Sequence, residues 1–437
     1  MTSEARPSYD PAAGVLEHCR SLVRIDTSNY GDDSGPGERG AAEYVAERLS
    51  SAGLEPMLVE SVPGRANVLA RWGGRDPDAE PLLLHGHLDV VPARADDWSV
   101  PPFAGEIVDG YLYGRGTVDM KDFDAMLLSV LEARQLAGWA PRRPVVFAFT
   151  ADEEAGGRSG AHWLVEEHAA WLTDCTDAIG EVGGFSTEVA GQRLYLIESG
   201  EKGMTWIRLT AHGTAGHGSM RHPDNAIARL AQAVGTIGAY EWPAQPGPVM
   251  RQLLEKVREL ADSTSDDPDK LIAELGPAAR MIGAGIRNTT NPTMLQAGYK
   301  INVVPGEAQA WMDGRFLPGE RDAFVAGLRD HVGPHIEVDI EHEDVALEGE
   351  FAGDMVDAMT ASLLAEDPDA HIAPYLMSAG TDAKAWSRLG IPSYGFVPLR
   401  LPADLDFTAL FHGVDERVPV DALSFGARVL DRLLDQA

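Results

Sequence analysis

The chain has 437 residues, of which 36 are Lys or Arg and 68 are Asp or Glu, giving a formal net charge of −32. Its length suggests about two domains, and a hydrophobic content of 44% supplies ample core material, which excludes disorder as a global description. An acid excess of this size repels phosphate backbones and anionic lipid, so nucleic acid and membranes are poor candidates as partners.

Apolar residues recur at helical spacing over 12–23 and again over 38–49, where Gly53 offers a stop. Strand signals follow over 67–72, 81–85 and 143–150, with helix character over 123–136 between the last two. That order predicts an α/β sheet of buried, largely parallel strands. A second pattern begins near Lys202: a strand over 204–210, a helix over 225–238, strands over 294–301 and 307–316, a helix over 321–331 and a strand over 335–340. This is the split βαβ order of a ferredoxin-like α+β sandwich, and it reads as an insertion. After residue 347, helices over 352–364 and 420–434 and a strand over 393–397 complete the first sheet. The expected division is one domain built from 1–200 and 347–437, with residues 201–346 inserted as a second. Residues 240–290 mix Pro, Gly and acidic runs with a helical stretch over 249–260, and read as an elaborated loop.

Cys19 and Cys175 are the only cysteines, so no disulfide framework or thiolate zinc site is implied. Residues 1–11 are polar, and no run approaches the roughly 18 apolar residues of a membrane span, so a soluble, cytoplasmic protein is expected.

Chemistry concentrates at strand ends. HGHLDVV, residues 85–91, closes an apolar run, which places His87 where the ligand crevice of an open α/β sheet forms. Asp89 is near enough to accept from the second ring nitrogen of His87 and fix its tautomer, as the outer partner of a metal-ligating histidine does. A structural histidine is the alternative. GRGTVDMKD, residues 114–122, delivers Asp119 just before a helix, where an aspartate also serves as a cap. TADEEAGG, residues 150–157, sets Glu153 and Glu154 after an apolar strand, a costly place for carboxylates unless exposed, paired or bound to metal. GEVGG carries Glu181, and FHGVDE carries His412. Imidazoles and carboxylates in this mixture suit zinc or another borderline divalent ion better than calcium. Two ions about 3.5–4 Å apart could share a bridging carboxylate.

In order and approximate spacing these motifs resemble the co-catalytic zinc hydrolases that include aminoacylase, carboxypeptidase S, glutamate carboxypeptidase and succinyl-diaminopimelate desuccinylase. The resemblance runs over nearly the whole chain. It implies two zinc ions per subunit, with cobalt or manganese as substitutes: His87 and Glu181 on one, Glu154 and His412 on the other, and Asp119 bridging. It implies that Asp89 orients His87, that Glu153 is the general base activating a metal-bridging water, and that the Asp119–Met120 peptide is cis. It also implies that His217, in TAHGTAGHGSM, crosses a homodimer interface formed by the inserted lid domain and stabilises the oxyanion of the partner's substrate. Asn302 and Arg315, in NVVPGEAQAWMDGRF, and Gly380 and Thr381, in SAGTDAKAW, are implied substrate contacts. Gly218 follows His217 where many relatives have Ser, and the long 240–290 segment resembles the carboxypeptidase S and aminoacylase branch. The implied activity is hydrolysis of an amide next to a free carboxylate, in a small peptide or an N-acyl amino acid. The alternatives are a non-catalytic peptide- or metal-binding protein on the same scaffold, and a two-metal phosphoesterase.

Overall fold

The computed structural model describes residues 9–32 and 34–437; most of the polar N-terminus, residues 1–8, lies outside the described residues, as does Asp33. The centre is a ten-stranded sheet. Leu82–His87 pairs in parallel with Val145–Thr150 on one side and with Asp177–Gly180 on the other, and Ser393–Gly395 extends the parallel block. Antiparallel strands flank it: Ala66–Trp72 and Met57–Glu60 at one edge, and Gln192–Glu201 with Phe185–Val189 and Leu347–Glu348 toward the other. The central runs LLL and VVFAF are buried on every residue, because helices cover both faces of a parallel block. On one face Leu84 and Phe147 share a core with helices Val15–Val23, Lys121–Ala137 and Val420–Gln436. On the other, Leu83 and Val146 pack with Leu164 of Ala161–Glu167 and Trp386 of Ala383–Ser387.

A second sheet has four strands in the order Thr289–Ala297, Glu307–Phe316, Gly203–His212, Ile336–Asp344, antiparallel throughout. Helices Ala226–Gly238 and Arg321–Val332 cover one face, and Leu230, Phe324 and Leu328 meet Ile207, Ala310 and Met312 in a core of its own. Strand Glu307–Phe316 alternates half-buried and buried positions, as a one-sided sheet requires. The strand expected over 294–301 lies at Thr289–Ala297, and residues 298–302 turn back toward Val303–Val304.

The helical stretch expected over 249–260 is present as Pro248–Leu260, but the reading of the whole 240–290 segment as an elaborated loop is corrected. It contains helices Pro248–Leu260 and Pro268–Ala273, whose Val249, Leu253, Val257 and Leu271 belong to the core of the ten-stranded sheet. Residues 248–286 therefore pack with the large sheet although they fall inside the 201–346 span. The apolar spacing of 249–260 was that of an amphipathic helix, but spacing alone does not say which sheet receives the stripe. Among the described residues no helix is long and apolar enough to cross a membrane.

Candidate active site

Three parallel strands end together, and their carboxyl ends deliver His87, the Glu153–Glu154 turn and Glu181 to one crevice. His87 is 1% exposed, with Nε2 3.0 Å from Asp119 Oδ1 and 3.4 Å from Glu181 Oε2. Asp119 arrives on a turn in which Gly116 has φ +87°, and a Cβ there would lie 2.8 Å from Val90 Cγ1, so glycine lets the turn close against Val90. The Asp119–Met120 peptide is cis. The second oxygen of Asp119 faces His412, with Nε2 3.2 Å from Oδ2, and the same nitrogen lies 3.0 Å from Glu154 Oε2. His412 comes from a distant turn near the C-terminus and holds φ 57°, in the left-handed region that a β-substituted residue seldom adopts.

Asp89 differs in detail from the expectation. His87 Nδ1 lies 2.9 Å from the backbone oxygen of Asp89, while the Asp89 carboxylate is farther away, at 3.5 Å. The carboxylate instead accepts the backbone N–H groups of Glu153 and Glu154, each at 3.1 Å, and the Asn29 side-chain amide at 2.9 Å. Asn29 also donates to Asp152 at 3.1 Å and accepts from Arg65 at 2.9 Å, and Arg65 pairs with buried Glu38 at 2.5 Å. Asn29, Arg65 and Glu38 help Asp89 pin the turn that presents both glutamates, and sequence reasoning missed those three. A lone asparagine in a loop carries no periodic or motif signal.

The electrostatics are those of acids gathered without enough cation. Burial opposes ionisation of Asp119, but hydrogen bonds from His412 and His87 outweigh it and hold its carboxyl far below the usual range. Contact with Asp119 and then Glu154 pushes His412 up to about 10. Burial pushes Glu181 up to about 8, and burial with the charge of Glu181 pushes Glu153 well above the carboxylate range. Donor atoms of His87, Asp119 and Glu154 lie within 4.8 Å of one another, as do those of His87, Glu153 and Glu181. Nitrogen and oxygen donors in this arrangement fit borderline divalent ions, whose charge would offset the crowded carboxylates.

The remaining expected residues fall in two groups. His217 is exposed on a short ribbon, Gly216–His217 paired with Val303–Val304, and Gly218 N–H donates to Asn302 O at 2.9 Å, so His217 and Asn302 share one ribbon. Arg315 sits on Glu307–Phe316 with its guanidinium held bidentately by Asp313, at 2.6 and 2.9 Å. Gly380 and Thr381 lie on a half-buried loop after strand His371–Met377, and the Thr381 N–H and hydroxyl both donate to buried Glu201, the former at 3.1 Å. Those two donors are thus engaged within the protein.

Comparison with known proteins gives a coherent picture. The chain is 30% identical over 389 residues to "Probable carboxypeptidase S-like 2" of Dictyostelium discoideum, covering 81% of this chain and 71% of that protein. It is 28% identical over 440 residues to aminoacylase-1 of Sus scrofa, covering 99% and 97%. Among solved structures, an M20 family metallo-carboxypeptidase from Sulfolobus solfataricus superposes with a TM-score of 0.71 at 18% identity, covering 97% and 98% of the two chains. The family model for peptidase family M20/M25/M40 matches residues 83–436. The chain belongs to this family of metal-dependent peptidases and amide hydrolases.

Proposed function

We propose that the protein is a zinc-dependent hydrolase of an amide bond adjacent to a free carboxylate, in a dipeptide, at the C-terminus of a peptide or in an N-acyl amino acid. The observation that carries the site assignment is the division of Asp119: one oxygen faces His87 at 3.0 Å and the other faces His412 at 3.2 Å. On this reading His87 and Glu181 would hold one ion, Glu154 and His412 would hold the other, and Asp119, with one oxygen toward each histidine, would serve both. What two bound ions supply is Lewis acidity toward the scissile carbonyl and toward the attacking water.

The chain's own groups do the rest. Glu153 takes the proton from that water and returns it to the leaving amine. Burial and the charge of Glu181 raise the pKa of Glu153, the direction a base that later serves as an acid needs. Asp89 holds the backbone of Glu153 and Glu154, so that adjacent side chains diverge to different tasks. Arg315, oriented by Asp313, receives the substrate carboxylate. The Gly380–Thr381 loop and Asn302 close the substrate site.

The four-stranded unit is the lid and the homodimer surface on this reading. Its edge strand Thr289–Ala297 carries exposed Met294 and Leu295, and the following turn exposes Tyr299 and Ile301. An open apolar edge of this kind invites an isologous partner. The same turn leads into the ribbon that bears His217, which supports His217 reaching the partner's site as an oxyanion donor.

The test is a screen of dipeptides and N-acyl amino acids with zinc-loaded protein, in parallel with metal analysis. Turnover of one class that is lost on chelation and restored by zinc is expected. A protein that binds two ions and hydrolyses neither class would sink the substrate assignment.

A further inference from the structure

Only six of the 36 basic residues are lysines, and three of them, Lys121, Lys202 and Lys384, are buried. Lys121 Nζ donates to Leu22 O and Ile25 O, and Lys202 Nζ donates to Ala284 O, Arg287 O and Thr289 Oγ1. Lys384 is less well satisfied. Its Nζ donates to Lys202 O at 3.0 Å, while Glu201, the carboxylate it pairs with, stands 4.0 Å away, beyond hydrogen-bond reach. An ammonium has three donors, so a side chain only 3% exposed keeps donors to spare.

Its position is pointed. A Cβ on Gly380 would lie 2.8 Å from Lys384 Nζ, so the missing side chain leaves the ammonium directly against the substrate loop. The charges acting on Lys384 include Arg315 and Glu153 as well as Glu201 and Asp344, which sets it in the field of both the carboxylate receptor and the base. Arg315, meanwhile, has its fork committed to Asp313. A carboxylate arriving at that neutral pair would be desolvated against it without an uncommitted positive charge, an unfavourable exchange.

We propose that Lys384 is the second cation that receives the substrate's free carboxylate, beside Arg315, and so sets the preference for substrates that carry one. This rests on the function proposed above. Glu201 is then a positioning residue: by accepting both donors of Thr381 it holds the loop over Lys384. A compact ammonium fits under Gly380 where a planar guanidinium would need more room, which accounts for lysine in a chain that otherwise prefers arginine.

The test uses zinc-loaded wild-type protein and the Lys384→Met and Lys384→Gln variants, with bound zinc and thermal unfolding measured for each. Each is assayed on an N-acetyl amino acid and on the carboxamide of the same compound, and calorimetry measures binding of the product amino acid and of its amide. The acid-over-amide ratio of kcat/KM is expected to fall about 10- to 100-fold, mainly through KM, the scale of a charged hydrogen bond. Affinity for the amino acid should fall in parallel, with affinity for its amide unmoved. Equal losses on acid and amide, or an unchanged ratio in a folded variant, would overturn the proposal and leave Lys384 a structural cation. Two variants guard against a failure of one to fold. If wild type hydrolyses neither compound, N-acyl amino acids are excluded as its substrate class, and calorimetry still decides the role of Lys384: amino-acid binding that is unaltered by the substitutions refutes it.

Discussion

Asp89 Oδ1 accepts the backbone N–H of Glu153 at 3.1 Å, and through this contact a fully buried carboxylate fixes the proposed general base without touching its side chain. The same carboxylate accepts from Glu154 N–H and from Asn29. Asp89→Ala removes the acceptor of two half-buried backbone N–H groups and of the buried Asn29 amide, so we expect a stability loss of about 2–5 kcal/mol in thermal or denaturant unfolding. We also expect a drop in kcat larger than the change in KM, because the turn that aims Glu153 is released. Asn29→Ala should move both quantities in the same direction by less. Wild-type kcat in a folded Asp89→Ala protein would mean that the turn holds Glu153 unaided.

Glu153 and the metal ligands separate by a different pair of readouts. Glu153→Ala is expected to lower kcat by about 10²–10⁴-fold while bound metal stays at the wild-type level. Asp119→Ala should lower metal content and activity together, since its two oxygens face both histidines. Chelation should abolish activity and lower the unfolding temperature, and zinc should restore both in a concentration-dependent way. Full activity of the Glu153→Ala protein, or of the chelated one, would remove the mechanism.

What could be read in the sequence was whatever repeats locally. Leu82–His87 and Val145–Thr150 stood out because burial on both faces demands an unbroken apolar run, and His87, Glu153 and Glu154 stood out as polar residues at the ends of such runs. The lid strands and helices announced themselves through alternation and helical spacing. Strand Gln192–Glu201 was hidden because Glu198 and Glu201 break its apolar pattern. Each is paid for by partners distant in sequence, Gly395 for the one and Thr381 for the other. Asn29 and Lys384 were hidden for the same reason: their meaning lies in what tertiary folding brings to them, and no local period records it.

A buried acid outside the proposed ligand set gives a pH signature. Asp124 is 0% exposed, neither oxygen has a hydrogen-bond partner, and burial pushes its pKa up to about 8. The unfolded chain ionises this carboxyl near 4, well before the native state does. Stability from Asp124 is therefore complete below about pH 4 and is lost as pH rises toward 8, at up to roughly 1.4 kcal/mol per pH unit. Asp124→Asn should flatten the stability profile across that window and stabilise the protein at pH 8. Denaturant titrations at several pH values, on metal-free and zinc-loaded protein, measure it. Identical pH profiles for variant and wild type would show that Asp124 ionises in the fold as it does in water.

The lid edge and His217 make one joint prediction. Leu295 is 59% exposed on edge strand Thr289–Ala297, so Leu295→Lys puts a charge into any sheet-edge or apolar contact there and should shift the protein toward monomer in light scattering. If His217 completes the partner's site, that monomer loses activity although every metal ligand is untouched. A mixed dimer of His217→Ala and Glu153→Ala subunits then distinguishes the arrangements. Acting across the interface, the intact His217 of the Glu153→Ala subunit serves the one site that still holds Glu153, so each mixed dimer regains one of its two sites while both parents stay inactive. Acting within a subunit, no site in the mixed dimer has both groups, and activity does not return. An active Leu295→Lys monomer together with an inactive mixed dimer would place His217 in its own subunit's site and make the apolar edge irrelevant to catalysis.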